Sequence, residues 1–234
     1  MEGSFITHCK ELEKSLPELK VSLPKPIPTS RPQQTLNPKL APKIETDIPG
    51  ILAKQHQMNE SKKALALEHI HHKYPSKKWT HAYTDGSATE ATKDGGAGIL
   101  IKLKTMEEEI SLPTGRYSSN FRAEATALQE AAKRLARGRR KAKKNIVIFT
   151  DALSVLEALK NPRSEDLDPL TLCPDHSFEH TLHPQQEGRA VQWIPAHCNI
   201  RGNERADRLA KEGSRKGQTD LSLSYDHGLI FTLL

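Results

Sequence analysis

Cysteine is scarce in this chain: Cys9, Cys173 and Cys198 are the only three in 234 residues. An odd count without CxxC spacing argues against a disulfide framework and against a structural zinc site. No window approaches 18 apolar residues, so no membrane span is expected. Residues 1–20 carry charges where a signal peptide needs an apolar run, which argues against secretion. Aromatic residues make up 5% of the chain and hydrophobic ones 35%, enough for one core but not for two. These absences describe a soluble intracellular protein with a single folded domain.

Proline is unevenly spread, with eight of 15 in residues 1–50. That stretch is poor in aromatics and cannot readily bury a core, so it is expected to be largely disordered or extended. The net charge of +6 is uneven too: residues 1–76 carry +3, residues 77–160 carry +6 and residues 161–234 carry −3. A basic middle suits a polyanionic partner.

The pattern sharpens from Trp79 onward. Residues 51–74 hold a weakly amphipathic stretch (Leu65, Leu67, Ile70) that suits a short helix ending before Pro75. Trp79–Asp85 reads as a strand ending in Asp-Gly-Ser, Lys93–Gly96 as a turn, and Ala97–Leu103 as a strand with Ile99, Ile101 and Leu103 alternating. Glu108–Leu112 reads as a third strand, ended by Pro113-Thr-Gly115. Ser119 and Asn120 are N-cap residues for a helix with Phe121, Ala125, Leu128, Ala132 and Leu135 on one face. Ile146–Phe149 is continuously apolar, the mark of a strand buried on both faces. Ala152–Lys160 suits a short helix, Ala190–Ile194 a strand, and Asn203–Glu212 a helix with Gly213 at its C-cap position. Residues 163–188 hold three prolines and no period. The order is a mixed sheet with helices packed on it, an α/β layer architecture.

Four acids fall at strand ends and helix starts. Asp85 ends the first strand, Glu124 lies in the first turns of the long helix, Asp151 ends the buried strand and Asp207 lies in the last helix. They are 39, 27 and 56 residues apart, so only the fold can gather them. Neighbouring strands would deliver Asp85 and Asp151 to one sheet edge, where open sheets bind ligands. Glu124 lies one turn from Phe121 and Leu128, beside the buried face and near a helix N-terminus that favours its charge. Clustered carboxylates are tolerated only with cations to neutralise them. Hard oxygen donors select Mg²⁺ or Mn²⁺. Two such ions about 4 Å apart suit in-line attack on a phosphodiester. Taken singly, each acid also reads as a cap or a solvated side chain.

Four motifs occur in a telling order: Thr84-Asp-Gly-Ser87, Arg122-Ala-Glu124, Phe149-Thr-Asp151, and Trp193-Ile-Pro-Ala-His197 followed by Gly202-Asn-Glu-Arg-Ala-Asp207. Leu209-Ala-Lys211 follows. Together they resemble the ribonuclease H type I family, in the style of the RNase H domain attached to non-LTR retrotransposon reverse transcriptases. The resemblance covers roughly residues 78–215. It implies a mixed five-stranded sheet, three antiparallel strands then parallel ones, flanked by helices. It also implies domains at 1–76 (a Pro-rich, largely disordered connector), 77–215 (RNase H) and 216–234 (a tail).

The implied activity is cleavage of the RNA strand of RNA–DNA hybrids, leaving a 5′-phosphate and a 3′-hydroxyl. Asp85, Glu124, Asp151 and Asp207 match the carboxylates that hold two Mg²⁺ ions, for which Mn²⁺ can substitute. His197 matches a mobile-loop histidine that relays protons or helps product release. Gly86 and Ser87 match a close approach to the RNA strand, and Ser119 and Asn120 match helix-start contacts to the hybrid. Glu204, three residues before Asp207, is either an acid supporting the site or an exposed helix charge. Asn199 stands where the family commonly has glycine.

Eight Lys or Arg lie within residues 133–144, among them Arg139, Arg140 and Lys141. They suit phosphate contacts. A solvated helix end or a nuclear localisation signal has the same composition. His69, His71 and His72 lack partners at metal-ligand spacing and read as a solvated linker. Cys198 reads as a small loop filler. A monomer is expected, once part of a reverse transcriptase polyprotein, although no polymerase motif is present. The alternative function is a decayed retroelement remnant that binds hybrid or duplex without cutting.

Overall fold

A computed structural model describes residues 43–51, 57–137, 145–160 and 188–218. The expected irregular stretch 163–188 lies outside these residues except for Gly188, as do Arg139, Arg140 and Lys141. The described elements are β1 (Lys43–Glu45), α1 (Asn59–Lys73), β2 (Trp79–Thr89), β3 (Lys93–Lys102), β4 (Glu107–Gly115), α2 (Asn120–Arg137), β5 (Asn145–Thr150), α3 (Leu153–Lys160), β6 (Arg189–Trp193) and α4 (Arg201–Ser214). They form one sheet of order β1-β6-β5-β2-β3-β4. β2, β3 and β4 are antiparallel, and β5, β6 and β1 continue in parallel from β2. This is the expected mixed α/β architecture, with one strand more than the five expected.

The sixth strand comes from the stretch expected to be disordered. Its ordering has a specific cause in Gln192, which is fully buried in β6. The Gln192 amide donates to the carbonyls of Asp47 (3.1 Å) and Trp193 (3.0 Å), and its Oε1 accepts from the Tyr74 hydroxyl (3.1 Å). A buried amide left unpaired is expensive, so this pairing favours docking of β1 and the residues that follow it. Lys73 adds an ion pair to Glu45 at 3.2 Å. His69 also reaches Gln192 Oε1, at 3.1 Å, while His71 and His72 are exposed.

Side chains alternate across the sheet, so each strand feeds two cores. Ala82, Ile99, Ile101, Ile146, Ile148 and Val191 face α2 and α3, which supply Leu128, Leu135, Val155 and Leu156 among others. Tyr83, Leu100, Val147 and Phe149 point the other way. They join Ala66, Ile70 and Tyr74 from and beside α1, Ala206 from α4, and Ile194, Cys198 and Ile200 from the loop before α4. α2 starts where its cap is: the Ser119 hydroxyl accepts the Arg122 N–H at 3.2 Å.

Two sequence expectations fail for one reason. Lys93–Gly96 is not the β2–β3 turn but the start of β3. The turn lies at residues 90–92, with Glu90 and Ala91 in the left-handed region (φ 51° and 63°). Gly213 does not cap α4 but lies within it. These glycines are there for close approach. A Cβ on Gly96 would overlap the backbone of α4 at Ala210, Gly213 and Ser214, and one on Gly213 would strike the Leu112 carbonyl. Gly98 meets Ala206 and Ala210 in the same way. The strand β4 also runs through Pro113 to Gly115, which an edge strand tolerates.

Candidate active site

Asp85 does not end its strand as expected, because β2 runs on to Thr89 in its pairing with β3; it follows directly on the stretch of β2 that pairs with β5, and Asp151 immediately follows β5. β2 and β5 pair in parallel, with Thr84 opposite Thr150. Both carboxylates therefore emerge at one edge of the sheet. Glu124 arrives from above. Gly86 lies on the face covered by α2, and a Cβ there would overlap the backbone of Ala123 and Glu124. Without that Cβ, the first turns of α2 sit directly on β2. Glu124 is thereby brought to the two aspartates.

Oxygens of Asp85, Glu124 and Asp151 lie within 4.8 Å of one another. Burial pushes the Asp85 carboxyl up to about 7, and the nearby charges of Asp151 and Asp207 push the same way. Burial, then the charges of Asp85 and Asp151, raise Glu124 well above the ordinary carboxyl range. Burial also raises Asp151, although the hydrogen bond from Asn203 pulls it back. Glu124 Oε2 is a buried oxygen with no hydrogen-bond partner among the described residues. An acidic cluster of this kind holds protons unless a cation replaces them. Its donors are all hard carboxylate oxygens, and one of them is orphaned. The set fits a divalent cation.

Asp207 stands outside the group of three but within electrostatic reach of Asp85 and Asp151. Its carboxylate is paired with the Lys211 ammonium at 2.7 Å, one turn on along α4. His197 is exposed and near enough for its charge to act on Asp151. It has φ 52°, and Asn199 has φ 55°. Left-handed backbone at a non-glycine costs roughly 1–3 kcal/mol. Asparagine tolerates it best, which explains how Asn199 replaces the expected glycine. Glu204 is not one of the clustered acids among the described residues. Its Oε1 accepts the Asn199 N–H at 3.1 Å and so holds the His197 loop.

Gly86 and Ser87 lie beside the carboxylates on β2, and Ser119 and Asn120 start the helix that carries Glu124. The basic run is described only as far as residue 137. In it Arg134 is engaged by Glu130 (2.9 Å) and Glu108 (3.2 Å). Cys198 is buried, with its thiol against the Ala196 carbonyl at 3.1 Å, and burial raises its pKa. That is the filler role expected of it. Sequence reasoning missed Asn203. It is 4% exposed, and its amide donates to Asp151 Oδ2 at 2.9 Å. The available signal was its place one helical turn before Asp207, on the same face of α4.

The family model described as RNase H matches residues 77–215, more than half of the chain. Among solved structures, the chain is similar to RNase H1 from the halophilic archaeon Halobacterium salinarum NRC-1. The match has 23% identity and a TM-score of 0.44, and covers 58% of this chain and 96% of that one. Among the described residues, no helix is long and apolar enough to cross a membrane.

Proposed function

This chain belongs to the RNase H family, and from that premise we propose that it hydrolyses the RNA strand of RNA–DNA hybrids. The proposed products carry a 5′-phosphate and a 3′-hydroxyl. The observation that carries this reading is the convergence of Asp85, Glu124 and Asp151 within 4.8 Å, with Glu124 Oε2 left without a hydrogen-bond partner among the described residues.

Asp85, Glu124, Asp151 and Asp207 would hold two Mg²⁺ ions, or Mn²⁺ in their place. When bound, such ions supply Lewis acidity to the attacking water and charge neutralisation to the leaving oxygen. The protein's own residues do the positioning. Asn203 fixes the Asp151 carboxylate by donating to one of its two oxygens. Lys211 neutralises Asp207 in the absence of a cation. His197, on its strained loop, moves a proton at the edge of the site or speeds product departure. Gly86 and Ser87 on β2, and Ser119 and Asn120 at the start of α2, flank the acids where the RNA strand would lie. Contacts there discriminate RNA from DNA through the 2′-hydroxyl. Arg139, Arg140 and Lys141 would add phosphate contacts that weaken with salt. The motif style supports kinship with domains attached to reverse transcriptases of retrotransposons, and a monomer suffices for the site.

The test is a hybrid labelled on its RNA strand, incubated with purified protein and Mg²⁺. Cutting that EDTA and Asp151→Asn both abolish supports the reading. A hybrid that is shifted on a native gel but never cut overturns it in favour of a binding module.

A further inference from the structure

The family match begins at residue 77, yet the core it describes is incomplete without the chain before it. Ala66 and Ile70 of α1 are buried in the same apolar cluster as Cys198, which lies between the two left-handed residues of the His197 loop, and Ile200, which follows them. A cleft between them is lined by Lys63 and Leu67 from α1 and by Asn199, Arg201 and Glu204 from the loop and α4. The charges of Lys62 and Glu60 reach Cys198 as well. The shared cluster, the shared cleft and the reach of these charges together place α1 beside this loop.

The loop needs such a seat. His197 and Asn199 both hold left-handed backbone, a conformation that persists only where the surroundings impose it. One restraint is the Glu204 carboxylate on the Asn199 N–H. The other is the burial of Cys198 and Ile200, at 3% and 2% exposure, against the cluster that α1 completes. His197 itself is exposed, so burial does not hold its side chain in place.

We infer that α1 is a positioning element for the active site: by seating Cys198 and Ile200 it holds the His197 loop in its strained form beside Asp151. Ile70 is the positioning residue best suited to test this, being buried and distant in sequence from every acid. The part of the inference that concerns turnover rests on the proposed hydrolysis; the part that concerns the loop does not.

The experiment uses the full chain with Ile70→Ala, and reads the rate at which N-ethylmaleimide labels Cys198, followed by mass spectrometry of that peptide. Leu156→Ala, on the opposite face of the sheet, serves as a destabilised control. The expected result is Cys198 labelling at least about tenfold faster in Ile70→Ala than in Leu156→Ala, because the loop opens locally. Equal acceleration in both variants means labelling through global unfolding and overturns the inference. In the hybrid assay, Ile70→Ala is expected to lower kcat with KM unchanged. In a His197→Ala background it should have no further effect, since the two act through one loop. Multiplicative effects overturn it. If Ile70→Ala does not fold, Ile70→Val is read in the same way, with the same ordering and a smaller effect. If the parent chain cuts no hybrid, the proposed function fails, while the Cys198 comparison still decides whether α1 seats the loop.

Discussion

The sheet face under α2 and α3 is aliphatic and conventional. Ile99, Ile101, Ile146 and Ile148 pack against Leu128, Leu135 and Leu156 through side chains of ordinary size. The opposite face combines rings and glycines. Tyr83 stacks on Phe149 at 5.0 Å, Tyr74 meets Phe149 edge-on at 5.7 Å, and α4 lies backbone to backbone on Gly96 and Gly98 of β3. The first face stores stability. The second sets positions: α4 carries Asn203 and Asp207, and the loop before it carries His197. Glu124 is the exception that confirms the division. It comes from the aliphatic side, but only because Gly86 repeats there the close approach that α4 makes on the other face.

Substitutions on the two faces should therefore separate stability from cleavage. Leu135→Ala, in the aliphatic core at 1% exposure, should cost about 2–5 kcal/mol of stability by chemical denaturation. The cleavage rate well below the melting temperature should remain near that of the parent. Gly98→Ala should cost less stability, about 1–3 kcal/mol, but more activity. It forces α4 away from β3 and moves Asn203 and Asp207 with it. If Gly98→Ala loses stability and keeps full activity, the division between the faces is wrong.

Asn203→Ala should leave the fold intact and lower hybrid cleavage or divalent-cation affinity by about 10–100-fold, the usual effect of losing a partner that orients a metal ligand. Cation affinity read by calorimetry checks this without relying on turnover. The smallest expected effect is on pH dependence. Asp85, raised from the ordinary carboxyl value of 3.8 to about 7, holds a proton in the folded state that the unfolded chain releases. Between about pH 4 and pH 7 the cation-free fold therefore loses stability from this group as pH rises. Mg²⁺ should raise Tm by more at pH 8 than at pH 5, measured by calorimetry on the same preparation. A larger effect at pH 5 would contradict the protonated cluster.

The aliphatic face was legible from the sequence because its signals are local. Phe121 to Leu135 at helical spacing, the continuous Ile146–Phe149 run and the Ser119 cap each act within a few residues. The turn at 90–92 and the end of α4 were misread because glycine has two meanings. It marks a turn when its φ is positive, and a close approach when another backbone lies over it. The approaching backbone of α4 is more than a hundred residues from Gly96 and leaves no local trace. Strand β1 was missed for a similar reason: three residues, Lys43–Glu45, have no period of their own and are ordered by Gln192 in β6. The four acids stood out through flanking motifs, and two of them, Asp85 and Asp151, through their expected places at strand ends. Asn203 did not, because an amide within a helix announces nothing until the partner across the site is known.

The most direct test of the account is to neutralise the four acids one at a time and read cleavage of the RNA strand in a hybrid. Asp85 and Asp151 come from the sheet, Glu124 from one face and Asp207 from the other. The account predicts that Asp85→Asn, Glu124→Gln, Asp151→Asn and Asp207→Asn all fold and all lose cleavage by on the order of a thousandfold or more, the loss of several kcal/mol of charge stabilisation. Cleavage at the parent rate by Glu124→Gln or Asp207→Asn would contradict it, since the two faces would then not meet in one site.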